Sequence, residues 1–117
     1  MNAEEMRDRT KRFAIRIFKL ADSLPRSASG RTIACQIADS GSSVAANYRS
    51  ACKARSKKEF IAKLGVAEEE ADETQLWLDL IEAAGLVESG RLKSLQQEAK
   101  ELTAIIAASR KTASGNT

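Results

Sequence analysis

Apolar residues recur three and four positions apart along four stretches of this chain, and nowhere do Val, Ile and Thr alternate over the length of a strand. That period is the α-helical one, so the fold is restricted to helices that each bury one stripe. In the first stretch Met6, Phe13, Ile17, Leu20 and Leu24 make the stripe, and Pro25, the sole proline, stops the helix. The spacing predicts this helix over 3–24. Ser27 or Ser29 can cap a second helix that runs to about 54, with Ile33, Ile37, Gly41, Val44 and Tyr48 on its buried face. Gly41 lowers helix stability by about 1 kcal/mol relative to Ala. With Ala34, Ala38, Ser40, Ala45 and Ala46 around it, that position is expected to admit a neighbouring helix closely.

Ser56-Lys57-Lys58-Glu59 reads as a capping box for a third helix ending near 84, where Gly85-Leu86 has the form of a left-handed cap. Its stripe is Leu64, Ala67, Ala71, Thr74, Leu78 and Ile81. Ser89-Gly90 opens a fourth helix to about 109, with Leu92, Leu95, Ala99, Leu102 and Ile106 inward. The expected fold is all-α, an antiparallel up-down-up-down four-helix bundle over 1–111, with a disordered tail at 112–117.

A chain of 117 residues with 43% apolar content is one domain, and needs no disulfide or structural metal to fold. Cys35 and Cys52 fall on the same predicted helix, about 25 Å apart at ~1.5 Å per residue, too far for a bridge. No apolar run approaches the ~18 residues of a membrane span, and no signal-peptide pattern opens the chain. A reduced, cytoplasmic protein without membrane contact is expected.

Histidine is absent. Imidazole acid–base chemistry, His-dependent triads and histidine metal ligation are therefore excluded. Ser56 is adjacent to Lys57, but capping accounts for it, and no glycine-rich phosphate loop exists. Carboxylates do cluster, as Glu69-Glu70-Ala71-Asp72-Glu73 and Glu98-Ala99-Lys100-Glu101. The layout resembles that of magnesium-dependent all-α nucleotide pyrophosphatases, since hard cations take oxygen ligands. Helical phase counts against it: Glu69, Glu73 and Glu101 project away from the core stripes, and only Glu70 and Glu98 flank them. No catalytic residue, metal ligand or cofactor is expected, and the chain reads as a non-enzyme.

The net charge of +3 hides an asymmetry: 13 Lys+Arg against 5 Asp+Glu in residues 1–58, then 6 against 11 in 59–117. Part of the basic half is expected to pair with acidic helices. The remainder, Arg12, Arg16 and Lys19 on the first helix and Lys53, Arg55, Lys57 and Lys58 at the turn between the second and third, is the candidate surface for nucleic acid, RNA above all. The competing reading is a protein-interaction scaffold. A second apolar set, Val66, Leu76, Trp77 and Leu80 on the third helix with Ile15 and Phe18 on the first, falls outside the core stripes and predicts self-association.

Several runs carry a family resemblance: Ser43-Val44-Ala45-Ala46-Asn47-Tyr48-Arg49-Ser50-Ala51, Ala54-Arg55-Ser56-Lys57, Phe60-Ile61-Ala62-Lys63-Leu64, Glu70-Ala71-Asp72-Glu73-Thr74 and Trp77-Leu78. Together they resemble the bacterial four-helix-bundle proteins named for 23S rRNA intervening sequences, over nearly the whole chain. Ala45 stands where that family commonly has Gly, Ser50 where it has Glu, and Glu69 replaces a frequent Lys. The resemblance implies a ring-like homopentamer whose molecular function is not established. It also implies kinship to the accessory variability proteins of diversity-generating retroelements, whose similar pentamers bind nucleic acid and a reverse transcriptase. Within the motif, Ser43, Asn47, Tyr48, Arg49, Asp72 and Glu73 read as structural. Asn47 is placed to hydrogen-bond across helices, and Arg49 to pair with Asp72 or Glu73.

Overall fold

The computed structural model describes residues 1–115, which form four helices: α1 (Ala3–Ser23), α2 (Ala28–Cys52), α3 (Lys57–Ala83) and α4 (Lys93–Ala113). A single 3₁₀ turn, Ser89–Arg91, precedes α4, and no strand occurs among the described residues. Each helix begins or ends for a local reason. The Asn2 side chain accepts from the Glu5 amide while the Glu5 carboxylate accepts from the Asn2 amide, a reciprocal box that opens α1. Of the two serines expected to cap α2, Ser27 does so, accepting from the Gly30 amide at 3.1 Å. Ser56 caps α3, but Glu59 bonds the amide of Arg55 rather than that of Ser56, so the expected box is displaced by one residue. At the far end of α3, Gly85 has φ of +66°, and its amide and that of Leu86 reach back to the carbonyls of Glu82 and Ile81. Those two bonds satisfy carbonyls that the helix leaves unpaired.

Every residue assigned to the four stripes is buried, from Met6 on α1 to Ile106 on α4. The stripes meet in one core, in which α2 packs on α1 and α3, and α4 on α3 and more lightly on α1. Two close approaches define the α2 side. A Cβ on Gly41 would lie 2.8 Å from Ile17 Cγ2, so the missing side chain lets α1 and α2 touch there. Ser40 and Thr74, both buried, bring their hydroxyls within 2.8 Å, and each also reaches a carbonyl of its own preceding turn. A buried polar pair satisfied in this way avoids a desolvation penalty of about 1–3 kcal/mol.

Contacts between α3 and α4 run in opposite order along the two helices. As α4 advances from Gln96 through Thr103 to Arg110, its side-chain partner on α3 recedes from Glu82 through Gln75 to Glu68. The last of these bonds, Arg110 to Glu68 at 2.7 Å, fastens the end of α4, which continues to Ala113. Thr112 and Ala113, expected in the disordered tail, are therefore helical, with Ser114 as the cap; Arg110 and Lys111 also suit the negative end of the helix dipole. Asn116 and Thr117 lie outside the described residues. Among the described residues no helix is long and apolar enough to cross a membrane.

Candidate nucleic-acid interface

The basic residues singled out from the sequence fall into two groups. Arg12, Arg16 and Lys19 lie on the outer surface of α1, and two of them are engaged: Arg12 faces Asp8 at 3.4 Å, and Arg16 donates to Ser94 on α4 at 2.8 Å. Lys53, Arg55, Lys57 and Lys58 span the connection between α2 and α3, all exposed and none ion-paired among the described residues. Lys57 and Lys58 occupy the first turn of α3, the end of the helix dipole that disfavours cations.

The strongest charge pairing in the molecule involves a residue with no sequence signal of its own. Arg9 on α1 holds Glu98 on α4 through two guanidinium nitrogens, at 2.8 and 2.6 Å, and reaches Glu101 at 2.9 Å. The Glu98 bond raises the Arg9 pKa despite partial burial, so this group stays charged at any accessible pH. The Glu101 carboxyl is lowered in turn by Gln97 and Arg9. This is one place where the basic half of the sequence meets the acidic half.

Two of the motif residues, Asn47 and Arg49, make contacts other than those expected from the sequence. Asn47 donates to the Ser43 carbonyl at 2.9 Å, inside its own helix and not across to another. Arg49 makes no ion pair with Asp72 or Glu73: it lies on the side of α2 that faces α1, where it lines a cleft with Arg7, Lys11 and Lys53. Glu73 instead accepts from the Trp77 indole at 3.1 Å, and Asp72 is exposed. Tyr48 is buried on the core side, and that burial, with the Cys52 thiol beside it, pushes the phenol up to about 12. Cys35 and Cys52 both carry free thiols on α2.

Glu70 on α3 is the carboxylate most out of place. Partial burial raises its pKa, and Glu73, Asp39 and Glu69 add to the effect. No cluster of three potential ligands that could hold a metal ion occurs among the described residues. The second apolar set is on the surface: Ile15 and Phe18 are each 44% exposed, Leu76 is 51% exposed, Val66 and Leu80 are only slightly less so, and Trp77 is half-buried at the edge of the core.

A family model described as 23S rRNA-intervening sequence protein matches residues 4–108. Among solved structures, the chain is similar to a protein of unknown function from the S23 ribosomal protein family of Bacteroides thetaiotaomicron VPI-5482. The two share 31% identity over 95% of this chain and 99% of that one, with a TM-score of 0.87. No curated protein matches.

Proposed function

The chain belongs to the 23S rRNA-intervening sequence protein family, and on that premise we propose that it is a non-enzymatic, cytoplasmic, homo-oligomeric four-helix bundle that binds RNA through its basic surfaces. The observation that carries the RNA reading is the run Lys53, Arg55, Lys57 and Lys58: four exposed cations within six residues, without an ion-pair partner among the described residues. Phosphate groups relieve both the mutual repulsion of such cations and the unfavourable placement of Lys57 and Lys58 at a helix N-terminus. Binding of this kind is sequence-independent and weakens with salt.

In this reading the bundle occupies 1–111 and its helices run up, down, up, down, in keeping with the opposed order of the α3–α4 contacts. Self-association is supported by the exposed Ile15, Phe18, Val66, Leu76 and Leu80, which a monomer leaves in water. The resemblance implies five copies in a ring. Rings are built from unlike faces meeting head to tail, and the apolar residues of α1 and α3 supply two such faces. The same residues favour the second reading, a scaffold that engages only proteins. Retention of a structured RNA on a filter at 50 and 200 mM salt separates the two: the RNA reading requires retention at 50 mM and its loss at 200 mM, and no retention at either leaves the scaffold.

A further inference from the structure

Between the first half of α1 and the last turns of α2 lies an open cleft of about 1200 Å³. Two cations reach into it from each helix: Arg7 and Lys11 from α1, Arg49 and Lys53 from the C-terminal end of α2. The members of each pair are one helical turn apart, ~6 Å along the axis. All four are exposed, and none donates to a carboxylate or to any other side chain among the described residues.

Three carboxylates share the rim, so the relevant count is of uncommitted charge. Asp8 faces Arg12 at 3.4 Å. The Glu5 carboxylate is engaged by the Asn2 amide at 3.0 Å as part of the α1 cap. That bond comes from a neutral amide, so Glu5 keeps its charge, and Glu4 and Glu5 stand against four cations that no ion pair engages among the described residues. The helix dipole gives Arg49 and Lys53 a local rationale, since they close α2, but it gives none to Arg7 and Lys11 near the start of α1.

Ala45, Ala46 and Cys52 complete the α2 side of the lining. Among the described residues no aromatic or long apolar side chain lines the cleft, so it lacks the apolar and aromatic anchors on which many protein partners rely. A phosphodiester backbone needs no such anchor. It needs room, point charges, and guanidinium forks that match two phosphate oxygens. We propose that the α1–α2 cleft is a phosphate-backbone site for RNA, in which Arg7 and Arg49 take phosphate oxygens bidentately and Lys11 and Lys53 supply flanking charge. This rests on the RNA reading above but places contacts on a face that reading does not use, apart from Lys53.

The test compares the full chain with two variants, R7Q/K11Q/R49Q/K53Q for the cleft and R55Q/K57Q/K58Q for the turn, by filter binding of an RNA hairpin across a salt series. Each phosphate contact contributes about 0.7–0.9 to the slope of log affinity against log salt. Loss of the four cleft cations is expected to flatten the slope by about 3, and circular dichroism of these surface variants is expected to match the parent. A second readout uses the single thiol of a C35S background: RNA is expected to slow maleimide labelling of Cys52 several-fold at 50 mM salt and not at 500 mM. If the full chain binds the hairpin but the cleft variant keeps the same slope, or if RNA leaves Cys52 labelling unchanged, the cleft is not the site and the RNA reading survives on the turn. If the full chain does not bind at 50 mM, both fail together.

Discussion

Replacing Gly41 with Ala sets two opposed effects against each other. In an unhindered helix the change removes backbone freedom from the unfolded chain and gains up to about 1 kcal/mol. Here the new methyl meets Ile17 Cγ2 at 2.8 Å, Cβ at 3.0 Å and Cγ1 at 3.1 Å. Ile17 is fully buried, and the atoms concerned sit at the branch next to its backbone, so the side chain cannot swing aside. Overpacking of this kind costs about 1–3 kcal/mol. The cost exceeds the gain, and G41A is expected to lose about 1 kcal/mol, or roughly 3–5 °C in Tm for a chain of this length. Gly65 is the internal control. It also lies within a helix, but a methyl there meets only the Arg110 Cδ at 3.8 Å, so G65A is expected to gain about 0.5–1 kcal/mol. Urea unfolding followed by circular dichroism, all variants at one protein concentration because oligomers stabilise by mass action, gives both values. In an I17A background, which removes Cγ1 and Cγ2, the G41A penalty is expected to shrink by about 1 kcal/mol or more, a coupling between touching residues. If G41A stabilises as much as G65A, the α1–α2 contact at Gly41 is not as close as described.

Other expectations follow from the same packing and electrostatics. Because partial burial and neighbouring carboxylates raise the Glu70 pKa, the folded state holds that proton more tightly than the unfolded one. Stability linked to Glu70 is therefore present below the ordinary carboxylate range and is lost as pH rises through the raised value. E70Q is expected to increase the urea midpoint at pH 7 but not at pH 4, and equal effects at both would remove the argument. Gly85 closes α3 at φ +66° with open space around it, so G85A meets only backbone strain, and a loss of about 1 kcal/mol in the same assay is expected. L76E/L80E places charges where exposed leucines support self-association, and light scattering at micromolar concentration is expected to move from oligomer to monomer; a monomeric parent would contradict the interface directly.

The large side chains of the core are legible in the sequence because a buried stripe imposes its own period, and each stripe residue from Met6 to Ile106 is buried; the smaller Thr10, Ala14, Ala21 and Ala51, buried beside the stripes, carry too little apolar signal to be read this way. Caps at Ser27, Ser56 and Gly85 are legible because their chemistry is local, whereas the Asn2–Glu5 box is not among the expected caps and Ser89-Gly90 forms a 3₁₀ turn ahead of α4, which begins at Lys93 without a side-chain cap. What the period does not encode is how each helix is turned about its axis relative to a particular neighbour. Charge alone pairs Arg49 with the acidic α3, but the rotation that buries Ile37, Val44 and Tyr48 carries it toward α1. The rotation of α1 that buries Met6, Phe13 and Ile17 turns Arg9 toward Glu98 and Glu101 on α4, a pairing spanning some ninety residues with no local mark. Asn47 donates within its own turn to the Ser43 carbonyl four residues back, a local bond that competes with the expected one across helices. The cleft did leave a trace, since Arg7 and Lys11, like Arg49 and Lys53, stand four apart on consecutive helices. Recognising that the two pairs converge required the packing of α1 on α2.

The central claim, that this bundle is an RNA-binding oligomer, meets its most direct test in the salt dependence of RNA binding by the unaltered chain. With the cations of the turn and the cleft both engaged, log affinity for an RNA hairpin is predicted to fall linearly with log salt, with a slope steeper than about −3. A chain that retains no RNA at 50 mM salt, or binds with a slope near zero, contradicts it.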